Sequence, residues 1–184
     1  MNNKVRILWI TRTAVFTALL IVLQATAAQF GNHIVTGSIV NMMLIISVMT
    51  CGLASGLSTA VISPVMAKFL GIGPFWSLIP FIAAGNIVLV ILWHFIGNRN
   101  TGPKYTALVT ALFTAAIAKF LVLYIGIVKI AVPVILDLAE RQATVISNIF
   151  SIPQMLTALI GGISAIVLLP SLEKTINFHK RQNM

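Results

Sequence analysis

The sequence predicts an all-α integral membrane protein, a bundle of six transmembrane helices with both termini cytoplasmic, forming a single domain over residues 1–184. Three observations predict it. Hydrophobic residues make up 59 % of the chain and the mean hydropathy is +1.03, far more apolar surface than a water-soluble domain of this size can bury. Only three acidic residues occur, Asp137, Glu140 and Glu173. The apolar residues fall into about six long runs separated by turn-forming clusters.

A span needs roughly 20 apolar residues to cross a hydrocarbon core of about 30 Å. The first, at about 8–28, is longer than a secretory signal core and carries Gln24 and Gln29 where a cleavage region would lie, so it is read as a retained helix. Gly31-Asn32-His33 ends it. Thr50-Cys51-Gly52 separates a short second span at about 38–50 from a third at about 53–70, and Gly71-Ile72-Gly73-Pro74 introduces a fourth at about 75–96. The polar run 97–103 is the clearest loop. A fifth span covers about 104–130. After a loop around Pro133, Asp137, Glu140 and Arg141, a sixth covers about 142–169, and Pro170 ends the membrane region before a basic cytoplasmic tail, 170–184.

A net charge of +9 would suggest nucleic-acid binding in a soluble protein. Here eight of the twelve basic residues, Lys4, Arg6, Arg12, Arg99, Lys104, Lys174, Lys180 and Arg181, lie on the side that holds both termini and the 97–103 loop. The positive-inside rule makes that side cytoplasmic, so the charge marks orientation and no nucleic-acid partner is expected. Trp76 then falls at the outer boundary, and Trp9, Trp93 and Tyr105 at the inner one. Cys51 is the only cysteine, which excludes an intrachain disulfide and a cysteine metal site and leaves it as a small packing residue. His94 has no second ligand placed beside it, so neither metal nor cofactor is expected. No phosphate-binding loop is present, and ATP-driven work must come from a partner.

Polar side chains inside a bilayer are costly unless paired or facing a cavity, which makes them the functional candidates. Counting at about 1.5 Å per residue brings Asn86, Lys119 and Gln154, on three different helices, to a common depth of roughly 16–18 Å below the outer surface. Lys119 has no Asp or Glu in any span to neutralise it. It snorkels, loses its proton, or meets a polar or anionic ligand in an outward pocket. Asn86 and Gln154 either contact that ligand or bond a neighbouring helix. Nearer the outside come Asn41, Tyr124, Asn148, Lys68 and Lys129, the two lysines reading as interfacial anchors. The loop from Gln29 to His33 either closes over the pocket, with Phe30 as a plug and His33 as a polar contact, or is an ordinary exposed turn. On the first helix Ala14 and Ala18 form a small-x-x-x-small pair beside Thr13 and Thr17, a shallow groove against which another helix can pack.

With the six short spans, the run from Ala14 to Ala18, Gly37-Ser38-Ile39-Val40-Asn41, and the stretch from Gly71 through Pro80 to Gly85-Asn86, the chain resembles a substrate-binding S component of an energy-coupling factor transporter over about residues 5–170. The resemblance implies a multi-pass protein of the bacterial plasma membrane that captures a vitamin or vitamin precursor from outside. It implies association with a transmembrane coupling subunit (T component) and two cytoplasmic ATPases, with no enzymatic activity of its own. The family's coupling surface carries over to Ala14 and Ala18, and its pocket, built from the outer halves of the fourth to sixth helices under the first loop, to Asn86, Lys119, Asn148, Gln154 and residues 29–37. Within the family the chain looks most like members assigned to hydroxymethylpyrimidine or a related ring. A pyridoxine-like ring would pair with Asn and Gln and stack on Trp76, Phe75 or Tyr124. Lys119 points instead to a carboxylate such as that of pantothenate. The competing classes are an intramembrane serine protease using Ser55 with His94, although Leu53 stands where that family's motif has Gly, and a purely structural subunit without a ligand.

Overall fold

The computed structural model describes residues 3–73, 75–99, 104–136 and 138–182. Pro74, loop residues 100–103, Asp137 and the side chains of Lys4, Lys104, Lys174, Lys180 and Arg181, all used above, lie outside the described residues. Among the described residues the helices are, in chain order, α1 (Asn3–Ala28), α2 (His33–Cys51), α3 (Leu53–Phe69), α4 (Trp76–Gly97), α5 (Lys104–Leu123, continued by Tyr124–Ile135), and α6 (Glu140–Ile149) with α7 (Ile152–Gln182), which together supply the last span. Five helical stretches are long and apolar enough to cross a membrane, and α3 is a shorter apolar one. The bundle turns its apolar residues outward as well as inward. Val109, Phe113, Ile117, Leu121 and Ile125 form an exposed ridge along α5, and Leu156, Ile160, Ile163 and Val167 another along α7. Such faces are stable only in lipid.

Local chemistry moves several boundaries from those expected. Asn32 caps α2, its side-chain oxygen accepting from the backbone N–H of Ile34 at 2.9 Å and Val35 at 3.3 Å. The second helix therefore starts at His33, not near 38, and the first loop is only residues 29–32. Asn32→Ala should cost about 1 kcal/mol of unfolding free energy in detergent; an unchanged transition would show that the cap does not fix the start of α2. Gly52 joins α2 to α3 in a single residue at φ 88°, a conformation that a side chain would strain. Pro133 does not end the fifth helix. From Tyr124 the helix widens into a π-helix that carries Pro133 and ends with the Leu136 N–H donating to the Ala131 carbonyl, five residues back, at 2.9 Å. Conversely, the sixth span is not continuous: Phe150 and Ser151 interrupt it, leaving α6 as a separate helix. Pro170 is exposed and lies inside α7, a tolerance common in membrane helices.

Close packing of α2 on α7 depends on Gly161. A methyl group there would lie 2.5 Å from the Ser38 carbonyl oxygen, 2.7 Å from Asn41 Cβ and 2.9 Å from the Met42 nitrogen. Trp93, expected at the inner interface, is instead 1 % exposed, and its ring lies beside Gly97 and Gly162. It belongs to the larger of two apolar clusters, with Leu44, Ile45, Leu89, Val90, Ala111, Leu112 and Ala115. The smaller cluster gathers Leu78, Leu123, Ile127, Ala131, Val132, Ile146 and Phe150. Along α4 and α5 the two meet at the level of Asn86 and Lys119.

Candidate functional site

Lys119 is 4 % exposed, and its surroundings explain how an ammonium is held there. Its Nζ donates to Asn41 Oδ1 at 2.5 Å and to Asn86 Oδ1 at 2.7 Å. Each asparagine is in turn oriented by its own N–H. Asn41 Nδ2 donates to Thr157 Oγ1 at 3.2 Å, and the Thr157 hydroxyl donates to the Gln154 carbonyl at 2.9 Å. Asn86 Nδ2 donates to the Ala60 carbonyl of α3 at 3.4 Å. One polar network thus links α2, α3, α4, α5 and α7, with both amide oxygens turned toward the lysine. Buried amides cost free energy unless bonded, and here each asparagine has its oxygen and one N–H engaged.

Lys119, Asn41 and Asn86 also line a cavity of about 730 Å³. The cavity lies toward the end of the bundle that carries the loops at 29–32, 70–75 and 150–151. The basic residues mark the opposite end as cytoplasmic, so the cavity belongs to the outer half. Its wall includes Gln24 and Ala28 of α1, Thr36 and Gly37 of α2, Ser63 of α3, Ile82 of α4, Leu123 of α5, Ile149 and Phe150, and Gln154 of α7. An apolar wall with a few converging polar groups is the usual form of a small-molecule site.

Of the residues singled out in the sequence, Asn41, Asn86, Lys119, Gln154 and His33 line this cavity, and Asn148, Tyr124, Trp76 and Phe30 do not. Asn148 is exposed on α6. Tyr124 stacks on Phe120 at 5.6 Å, with Lys129 over its ring. Trp76 is 53 % exposed and meets Phe69 edge-on. Phe30, expected as a plug, is 77 % exposed, although its loop neighbours Gln29, Gly31 and Asn32 border the cavity. Asn41 lies deeper than its count from 38 implied, since the helix begins five residues earlier. Gln24, Thr36, Ser63 and Thr157 are polar contributors that the depth count passed over; Thr157 follows Gln154 by one helical turn, which is the signal that would have found it.

On α1, Thr13 and Thr17 are buried against α3, where Thr13 lies 3.0 Å from the Ser55 hydroxyl and Thr17 donates to Thr59 at 3.0 Å. That leaves Ala14 and Ala18 exposed on the neighbouring face. Ser55 is engaged by Thr13 and by Ser47 at 3.2 Å, while His94 Nδ1 faces Asn98 Nδ2 at 3.4 Å. The serine and histidine of the protease hypothesis are therefore not hydrogen-bonded to each other.

Comparison with known proteins gives a family match: the family model described as ECF transporter, substrate-specific component, covers residues 9–173. Neither the curated proteins nor the solved structures contain a match to the chain.

Proposed function

The chain belongs to the family of substrate-specific components of ECF transporters, and on that premise we propose that it captures a vitamin or vitamin precursor from outside the cell and delivers it to an ABC-type import complex. It is a multi-pass protein of the bacterial plasma membrane. The observation that carries the proposal is the outward cavity with the Lys119, Asn41 and Asn86 cluster in its wall. Family membership implies partners that supply the energy, and the transmembrane coupling subunit and two cytoplasmic ATPases take that part in this reading. The exposed pair Ala14 and Ala18, on the face of α1 turned away from its threonine contacts with α3, is the proposed seat of the coupling subunit.

Two substrate classes stand on the family reading, a hydroxymethylpyrimidine- or pyridoxine-like ring and pantothenate or another anionic vitamin. For a ring, Gln154 offers an amide in the wall and Phe150 an aromatic neighbour, while Asn41 and Asn86 are engaged with Lys119, Thr157 and the Ala60 carbonyl. Purified protein in detergent should unfold at higher temperature with its substrate among hydroxymethylpyrimidine, thiamine, pyridoxine, pantothenate, riboflavin, folate and biotin. A compound at a hundredfold excess over its Kd stabilises the folded chain by about 2.7 kcal/mol. An unchanged transition with every compound would count against vitamin capture.

A further inference from the structure

We infer that the cavity takes a small carboxylate, its anionic end bound by Lys119 and a hydrogen-bond donor elsewhere on the same molecule bound by Gln24. The inference rests on the solute-capture reading above and names the class of solute.

The first support is the stoichiometry of hydrogen bonds at Lys119. An ammonium has three N–H donors, and two are taken by amide oxygens. Both acceptors are neutral, and among the described residues no carboxylate lines the cavity. Asn41 and Asn86 cannot turn their amides to offer N–H groups without giving up Thr157 and the Ala60 carbonyl. At its polar floor the cavity therefore presents an amino group that is held in place by two fixed dipoles and, in its charged form, has one remaining donor. A ligand carboxylate supplies both the missing acceptor and the missing negative charge. A neutral ring nitrogen or hydroxyl supplies only the acceptor. Because Lys119 itself is buried, this difference is large.

The second support comes from α1. Gln24 lines the cavity, and its Oε1 is buried without a hydrogen-bond partner among the described residues. An amide oxygen in that state calls for a donor. Gln24 lies four residues from the cavity-side end of α1 and Asn41 eight residues from that of α2, roughly 6 Å and 12 Å along their axes. The two poles therefore sit at different depths, which suits a molecule with its carboxylate deep and a hydroxyl or amide N–H nearer the mouth.

The test uses the full chain in detergent and pairs of compounds that differ only at the acid: pantothenate with pantothenol, nicotinate with nicotinamide, and biotin with biotin amide. Thermal unfolding and titration should show one acid binding about 10- to 100-fold more tightly than its neutral partner. Lys119→Gln should remove most of that preference. The wild-type comparison stands even where the variant does not fold. Gln24→Leu should weaken the acid severalfold without changing the acid-to-neutral ratio. Binding of a neutral member as tightly as its acid, or of hydroxymethylpyrimidine in place of every acid, overturns the inference while leaving solute capture intact. A response to added phosphatidylglycerol and to none of the acids also overturns it. Failure of every compound to bind removes the inference and the capture reading together.

Discussion

Asn86→Leu should destabilise the protein by about 3 kcal/mol, because it removes an acceptor from a buried ammonium and leaves the Ala60 carbonyl without its side-chain donor in one step. The paired variant Asn41→Leu with Asn86→Leu should be worse, about 3–5 kcal/mol beyond wild type, since the buried Lys119 then loses both of its protein partners. Adding Lys119→Leu to that pair should restore much of the lost stability. Replacing every member of a buried polar group by apolar residues of similar volume is often neutral, whereas removing one member is not. The same triple variant should have no ligand-induced shift in unfolding temperature. At the step from the double to the triple variant stability would then recover while capture stays lost, read by thermal or denaturant unfolding in detergent with and without ligand. A triple variant as unstable as the double one would show that packing volume, and not the unpaired ammonium, sets the loss.

The second large effect is expected at Gly161. A methyl group added there meets backbone atoms of α2, the Ser38 oxygen and the Met42 nitrogen, which cannot swing aside as a side chain can. Gly161→Ala should cost about 1–3 kcal/mol, and Gly161→Leu should prevent a folded bundle from accumulating. Gly85 offers the comparison. The three atoms nearest an added methyl there all belong to the side chain of Leu123, the first at 2.9 Å, and rotation of that leucine relieves part of the clash. Gly85→Ala should therefore unfold closer to wild type than Gly161→Ala. Equal losses at the two sites would mean that α2 and α7 can separate freely.

Apolar spans and the depth of Asn86 and Lys119 were legible in the sequence because both depend on quantities fixed along the chain, the length of an apolar run and the rise per residue. Counting along α4 and α5 was enough to bring Asn86 and Lys119 to one cavity, whereas Gln154, counted from 142, reaches it from the first turn of α7 after the break at 150–151. Rotation about the helix axis was not legible. In a soluble helix, polar residues reveal which face is outside, but lipid is as apolar as the interior and the contrast disappears. Trp93 and Trp76 show the consequence: both are tryptophans near span ends, and one is core while the other is exposed. Boundaries failed for local reasons. The Asn32 cap and the widened turns carrying Pro133 are backbone hydrogen-bonding solutions that an apolar run does not encode. The break before α7 had a readable sign, since residues 140–148 hold Glu140, Arg141, Gln142, Thr144, Ser147 and Asn148, too polar to continue a span.

The polar level between the two apolar clusters divides the molecule by mechanical role. Leu123, Ile146 and Phe150 belong to the smaller cluster and to the cavity wall at once, whereas the larger cluster, around Trp93, lies on the other side of Lys119. Parts of a fold with few shared apolar contacts can open separately, at less than the free energy of global unfolding. A change at Phe150 then draws on the smaller cluster alone. The wall and the foundation have separate strengths, so substitutions that loosen the wall there should leave the packing around Trp93 intact.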